Sequence, residues 1–241
     1  MKVFLGTGNA GGNIPPLAAV IERLIKRGHE VRVLLGPTVP GRPVPEALPR
    51  RFSDAGCEVI VPDANVWFEG ATDPPAINEI PAHFPRILGF ARFAAVAAPW
   101  AVQTLRSIED FEPDVILGDV HVPGGALAAE RAAVPVVAMS LTVAGQRPIE
   151  GIPIAAGFPA EFENRAAFLR TAEEHILPRM NAGRAAVGLP PDTSPWGWEE
   201  RAVRALYLTS PAFDFTPDPM PANFRYTGMM RPDADVEPWD D

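Results

Sequence analysis

Apolar positions along the chain follow two rhythms. Val3 to Leu5 is a short apolar run that stops at a glycine-rich turn. Leu17, Val20, Ile21, Leu24 and Ile25 then recur at three- and four-residue spacing, and Val31 to Leu35 is apolar again apart from Arg32. Short runs of this kind read as buried strands, and the 3.6-residue rhythm as an amphipathic helix. Lys26 and Arg27 suit the negative C-terminal end of that helix, and Gly28 closes it, because glycine enters the left-handed region without a Cβ clash. Strand, turn, helix and strand over Lys2 to Leu35 predict a βαβ unit with parallel strands and a right-handed crossover. In such sheets ligands bind beyond the strand C-termini, so the turn from Gly6 to Pro16 faces whatever the protein handles.

The same two rhythms continue. Gly36 to Pro49 carries five prolines and reads as loop. Glu46 to Ala55 predicts a short helix stopped by Gly56, ahead of a third strand over Glu58 to Val61. Pro62 to Pro85 is irregular, and loops of that length in a compact domain usually carry function. Ile87 to Phe111 predicts one long helix kinked near Pro99. A fourth strand, Pro113 to Gly118, runs into Asp119. A small-residue helix (Gly124 to Ala132) and a fifth strand (Val134 to Met139) follow. Ser140 to Pro159 is loop. Glu161 to Val187 predicts a helix interrupted near Pro178 and stopped by Gly188, and Glu199 to Arg204 a short helix. Ala205 to Thr209 and Phe224 to Thr227 predict late strands. Repeated strand–helix alternation makes this an α/β chain, a Rossmann-like three-layer sandwich with a mostly parallel sheet. Residues 1–228 read as one domain and 229–241, where periodicity is lost, as the start of a linker.

Composition narrows the partners. The 241 residues carry a net charge of −9 with no basic stripe, which argues against nucleic acid. Ile87 to Val102, the most apolar later stretch, is interrupted by Arg92 and Pro99 and is short for a bilayer span. No signal peptide is visible, so a cytoplasmic location is expected. The single cysteine, Cys57, excludes an internal disulfide and reads as a buried, inert thiol in an apolar strand. No three histidines show metal-ligand spacing.

The first turn places Gly6, Gly8 and Gly11 in G-x-G-x-x-G spacing, the dinucleotide fingerprint. That fingerprint also needs an acidic residue at the end of the second strand, to hold a ribose hydroxyl. Here the strand ends Leu34-Leu35-Gly36-Pro37, and Glu30 is at its other end. An NAD(P)-dependent oxidoreductase is therefore the disfavoured alternative.

GGNIPPLAAVIERLIKRGHEVRVL resembles the opening of the family-one GT-B glycosyltransferases of the bacterial natural-product and macrolide type. PDVILGDVHVPGGALAAERAAVPVV is similar to that family's strand ending in Asp and followed by an Ala-rich helix. NAGRAAVGLPP resembles its Asn-x-x-Arg-x-x-x-Gly-Leu-Pro segment. ALYLTSPAFDF and PMPANFRYTGMMRP resemble the stretch before its interdomain linker. The four segments occur in the family's order and span most of the chain.

The resemblance implies the acceptor-binding half of a two-domain enzyme that moves a sugar from a nucleotide-sugar donor to a small hydrophobic natural product. The donor is expected to bind a C-terminal domain without counterpart in these residues, so this half alone is expected to be inactive or weak. It also implies that no metal or cofactor is required. A homodimer remains open, as does a non-catalytic acceptor-binding or scaffold protein. In the family a His at the first helix removes the acceptor proton, oriented by an Asp. Asn13 stands at that His position, and Asp119 at the partner position. An amide cannot accept the proton as an imidazole does, so Asn13 reads as a helix cap or a hydrogen-bonding group. Asp119 is then the remaining candidate base.

His121, two residues beyond Asp119, is a possible substitute imidazole. His29 and His175 read as structural or solvated. Gly12, Trp67, Phe68, His83, Phe84, Phe93, His121 and Ser140 are the candidate acceptor-binding residues, with core packing the alternative for the aromatics, and Phe90 beside them. Thr142 joins Ser140 past the fifth strand, which has no nucleophile-elbow motif around it.

Overall fold

Strand-forming runs and helical stripes alternate along the chain as the two rhythms require. A computed structural model of the chain describes residues 1–8, 12–37, 44–63, 85–141, 165–214, 216, 219–228 and 230. Among these, seven strands run through the molecule: β1 (Lys2–Gly8), β2 (Glu30–Gly36), β3 (Glu58–Ile60), β4 (Val115–Asp119), β5 (Val136–Ser140), β6 (Arg204–Tyr207) and β7 (Phe224–Tyr226). They form one sheet in the order β3-β2-β1-β4-β5-β6-β7, and every pair is parallel. The order reverses between β1 and β4. That switch point opens a crevice at the strand C-termini, where α/β sheets bind ligands.

The helices are α1 (Ile14–Lys26), α2 (Ala47–Asp54), α3 (Pro85–Ala95), α4 (Ala97–Ile108), α5 (Gly124–Ala132), α6 (Arg165–His175), α7 (Leu177–Ala186) and the short α8 (Gly197–Glu200). α1 buries Leu17, Ala18 and Ile21 against the sheet, each large side chain contributing about 1.5–3 kcal/mol by leaving water. Gly28 and Gly188 follow α1 and α7 at φ +79° and +73°, as helix stops should.

The expected long helix from Ile87 to Phe111 is two helices, and their junction is Val96 rather than Pro99. Proline lacks the N–H that would reach the carbonyl four residues back, here Ala95, the last residue of α3. Pro99 itself sits in the first turn of α4, where a missing donor costs nothing. The Pro178 interruption follows the same logic, with α6 ending at His175 and Pro178 in the first turn of α7. The short helix expected over Glu199 to Arg204 starts earlier, at Gly197, and Arg204 opens β6. Among the described residues no helix is long and apolar enough to cross a membrane.

Two cores flank the sheet. Val3, Leu5, Leu117 and Met139 point to α1 and α2, with Leu17, Ile21 and Phe52. Phe4, Ile116 and Ala138 point to the other side, where α3 to α8 pack. The indole of Trp100 lies against Gly6, where a Cβ would come within 3.2 Å of the ring, and its N–H donates to the Pro37 carbonyl. A Cβ on Gly124 would stand 2.3 Å from the Ala97 carbonyl oxygen, so this residue lets α4 and α5 approach backbone to backbone.

The charged interruption of β2 is also resolved. Arg32 is buried, donates to Glu58 at 2.7 Å and Asp110 at 2.6 Å, and lies over the Phe111 ring. In the Asn-x-x-Arg segment, Arg184 forms a two-pronged pair with Glu130 at 2.8 and 2.9 Å, and Asn181 exchanges hydrogen bonds with the Asp192 backbone. That segment is a structural clamp between α7 and α5.

Candidate functional site

Strand alternation decides where Asp119 points. It lies two residues beyond Leu117 and in register with Met139, so it faces the α1 side of the sheet. β1 is the neighbouring strand, and Thr7 at its end donates its hydroxyl to Asp119 Oδ2 at 2.9 Å. The His121 backbone N–H donates to Oδ1 at 2.9 Å, and His121 Nδ1 lies 2.8 Å from the same oxygen. Asp119 has no exposed surface. Three donors on a buried carboxylate supply the hydrogen bonding that makes a buried charge tolerable.

Asn13 precedes α1 but does not cap it. It makes no side-chain cap bond, contrary to the bland expectation for this position. The reason is local. A cap side chain accepts from the N–H groups of the second or third helical residue, and those residues are Pro15 and Pro16. Neither has an N–H to offer. The side chain is therefore released toward the crevice, where its amide lies 2.7 Å from His121 Nδ1.

The contact with Asp119 decides the tautomer of the ring. A ring nitrogen without a proton would set its lone pair against the Asp119 carboxylate at 2.8 Å, so Nδ1 carries the proton and donates to it. Asn13 is placed with Nδ2 toward Nδ1; with the proton on Nδ1 we assign its amide the flipped orientation of the same shape, so that its oxygen accepts from the shared N–H. On the other side of the imidazole, the Phe93 ring of α3 meets it edge-on at 4.8 Å and 88°. The imidazole thus sits on the crest of the sheet between the two helical layers, its side chain 12% exposed.

Beyond Phe93 lies a narrow apolar cleft of about 20 Å³, lined by Phe90, Phe93, Val120, Met180, Trp196 and Trp198. Its polar member is Glu199, which accepts the Tyr207 hydroxyl at 2.8 Å. A roomier hollow lined by Leu105, Ile108, Pro113 and Val134 lies at the opposite, N-terminal end of β4, away from this chemistry.

The structure brings Asn13, Asp119, His121 and Phe93 together. Gly12 precedes Asn13 and is exposed, with open space where a Cβ would be. Ser140 is buried at the end of β5, but alternation turns it to the opposite face from Asp119. Trp67, Phe68, His83, Phe84 and Thr142 lie outside the described residues. His29 occupies the turn between α1 and β2, at the far end of the strands.

Sequence reasoning missed Thr7, Trp196 and Trp198. The first was findable, because β1 and β4 adjoin in any Rossmann-like order; the tryptophans sit in a segment that carries no periodic signal. The dinucleotide reading loses further ground: β2 ends at buried Leu35 and Gly36 without a carboxylate, and Gly6 makes room for Trp100. Among the described residues no cluster of three or more His, Cys, Asp or Glu is placed to hold a metal ion.

No protein-family model matches the chain. Over 249 aligned residues it is 27% identical to 4'-demethylrebeccamycin synthase of Lentzea aerocolonigenes, covering 94% of this chain and 55% of that protein. Among solved structures, the glycotransferase of kitacinnamycin superposes with a TM-score of 0.64 at 17% identity, over 95% of this chain and 51% of that one. CalG4, the calicheamicin glycosyltransferase, superposes with a TM-score of 0.60 at 15% identity, over 95% and 52%. VinC, solved in complex with dTDP, gives 0.55 at 15% identity, over 96% and 53%. The chain thus spans about half the length of the proteins it resembles, and its all-parallel sheet matches an α/β Rossmann-like half of a GT-B glycosyltransferase.

Proposed function

We propose that residues 1–228 form the acceptor-binding half of a natural-product glycosyltransferase, with 229–241 leading into an interdomain linker. The complete enzyme moves a sugar from a nucleotide-sugar donor, bound by a second half, to a small hydrophobic acceptor. The likeness in sequence and fold to natural-product glycosyltransferases supports this reading. The observation that carries it is the site itself: a buried carboxylate, Asp119, at the β1/β4 switch point, with an imidazole and an aromatic-lined cleft beside it. The cleft is too small to enclose an aglycone, but its apolar walls with few polar anchors suit contact with a hydrophobic one at the rim.

In this reading the acceptor lies against Phe93 and presents its nucleophilic atom over the end of β4. Asp119 supplies fixed negative charge that favours proton removal from the acceptor. Asn13, at the position where the resemblance places a His, contributes a hydrogen bond and no proton transfer. The sugar is transferred by displacement at the anomeric carbon, with inversion. Alone, this half binds acceptor and turns over weakly or not at all.

Calorimetry with three ligand sets tests the reading: flat aromatic or macrocyclic aglycones, nucleotide sugars, and NAD(P). Aglycone binding that weakens about tenfold or more in Phe93→Ala is expected, since removing an aromatic wall sacrifices buried contact area. Tight NAD(P) binding without an aglycone response would overturn it in favour of an oxidoreductase.

A further inference from the structure

We propose that His121 is the base that deprotonates the acceptor, its Nε2 taking the proton that a histidine at position 13 would otherwise take. The inference rests on the glycosyltransferase reading above and names the proton acceptor within the same site.

Four observations converge on it. Asp119 Oδ1 lies 2.8 Å from Nδ1, so the proton of the neutral ring belongs there and the lone pair lies on Nε2. Asp119 is fully buried and anchored by Thr7, so it orients the ring as a fixed partner and steadies the imidazolium that forms. The ring reaches solvent at 12% of its side chain, which Asp119 does not. Phe93 links the imidazole directly to the aromatic cleft. Asp119 has no surface open to a substrate proton. His121 has.

The prolines complete the argument. Because Pro15 and Pro16 remove the amides that Asn13 could cap, its side chain holds the imidazole in place. The imidazole reaches Asp119 from the loop after β4 rather than from the start of α1. Asn13 is a positioning residue in this scheme, and His121 the catalytic one.

The step balances as follows. The acceptor O–H proton passes to His121 Nε2, and the oxygen forms a bond to the anomeric carbon. The bond from that carbon to the donor phosphate breaks, and its electron pair leaves with the nucleoside diphosphate. Asp119 stays ionised throughout, and the imidazolium loses its proton to solvent after transfer.

Two measurements decide the matter. Long-range ¹H–¹⁵N correlation spectra of the chain, with His121 assigned by its loss in His121→Gln, are expected to show a protonated Nδ1 and a bare Nε2. The opposite tautomer would overturn the proposal. Turnover is then measured with the chain joined to a nucleotide-sugar-binding half. His121→Gln is expected to lower kcat about 100-fold or more, with the aglycone Kd within about threefold of wild type. Adding Asn13→His to that variant is expected to restore kcat at least about tenfold, because the new imidazole can use the same carboxylate. Unchanged kcat in His121→Gln, with aglycone bound normally, overturns this proposal alone. A wild-type chain that binds no aglycone overturns the glycosyltransferase reading and this proposal with it.

Discussion

Thr7 and Asp119 stand 112 positions apart and share a buried 2.9 Å hydrogen bond across adjacent strands β1 and β4. The hydroxyl satisfies one oxygen of a carboxylate that water cannot reach. Thr7→Val keeps the shape and removes the donor, leaving a buried charge short of a partner. It is expected to cost about 1–3 kcal/mol in urea unfolding, while Thr7→Ser stays within about 1 kcal/mol of wild type. Equal stability of the valine and serine variants would show that the hydrogen bond contributes nothing.

Gly124 and Gly12 differ in what a methyl group would meet. At Gly124 it would strike the Ala97 carbonyl and the Trp100 Cβ, whereas at Gly12 there is open space. Gly124→Ala is therefore expected to lower stability by about 1–3 kcal/mol or more by forcing α4 and α5 apart. Gly12→Ala is expected to stay within about 0.5 kcal/mol, as an exposed substitution should. Thermal unfolding of the two variants side by side checks the contrast, and Gly12→Ala then serves as a probe of the crevice free of folding effects.

The Arg184–Glu130 pair predicts an acid-sensitive clamp. Hydrogen bonds from Arg184 hold the Glu130 carboxyl below its ordinary value of 4.5. The folded chain then binds this proton less readily than the unfolded one. Stability from the pair is present above pH 4.5 and is lost as pH falls through the lowered folded value. Glu130→Gln is expected to be less stable than wild type at neutral pH and to lose less on acidification, so that the two stability curves converge in acid. Parallel curves in urea melts across that range would contradict the assignment.

Cys57 lies just before β3 rather than within it, and its thiol donates to the Phe52 carbonyl. Burial pushes the thiol up to about 11, well above the range where thiolate forms at neutral pH. A disulfide reagent at pH 8 is expected to label Cys57 in denaturant but not in the folded chain. Fast labelling of the native protein would place this residue nearer solvent than its 7% exposure implies.

The sequence alone determined the local plan. Apolar runs and helical stripes laid out the order of elements from β1 to β7, because strand and helix formation depends on which positions can be buried at each backbone period. Gly28, Gly56 and Gly188 marked stops that all lie at positive φ, a steric preference any neighbour would leave intact. The sequence even held the fact that frees Asn13, since Pro15 and Pro16 lack the donors a cap needs. Helix junctions were legible to within a few residues, because proline acts on a carbonyl four positions earlier rather than on its own place in the chain.

Tertiary structure alone decided the site. The contact between Asn13 and His121 joins residues 108 positions apart, and no local preference encodes it. It exists because β1 and β4 became neighbours at the reversal of strand order, which put the start of α1 beside the loop after β4. The same reversal set Thr7 on Asp119, and the packing of α3 and α7 on the sheet brought Phe93 and Met180 to one cleft with Trp196 and Trp198. Backbone sterics act within a few residues, so they write elements into the sequence. Burial of a charge against distant donors is settled only when the strands have found their order.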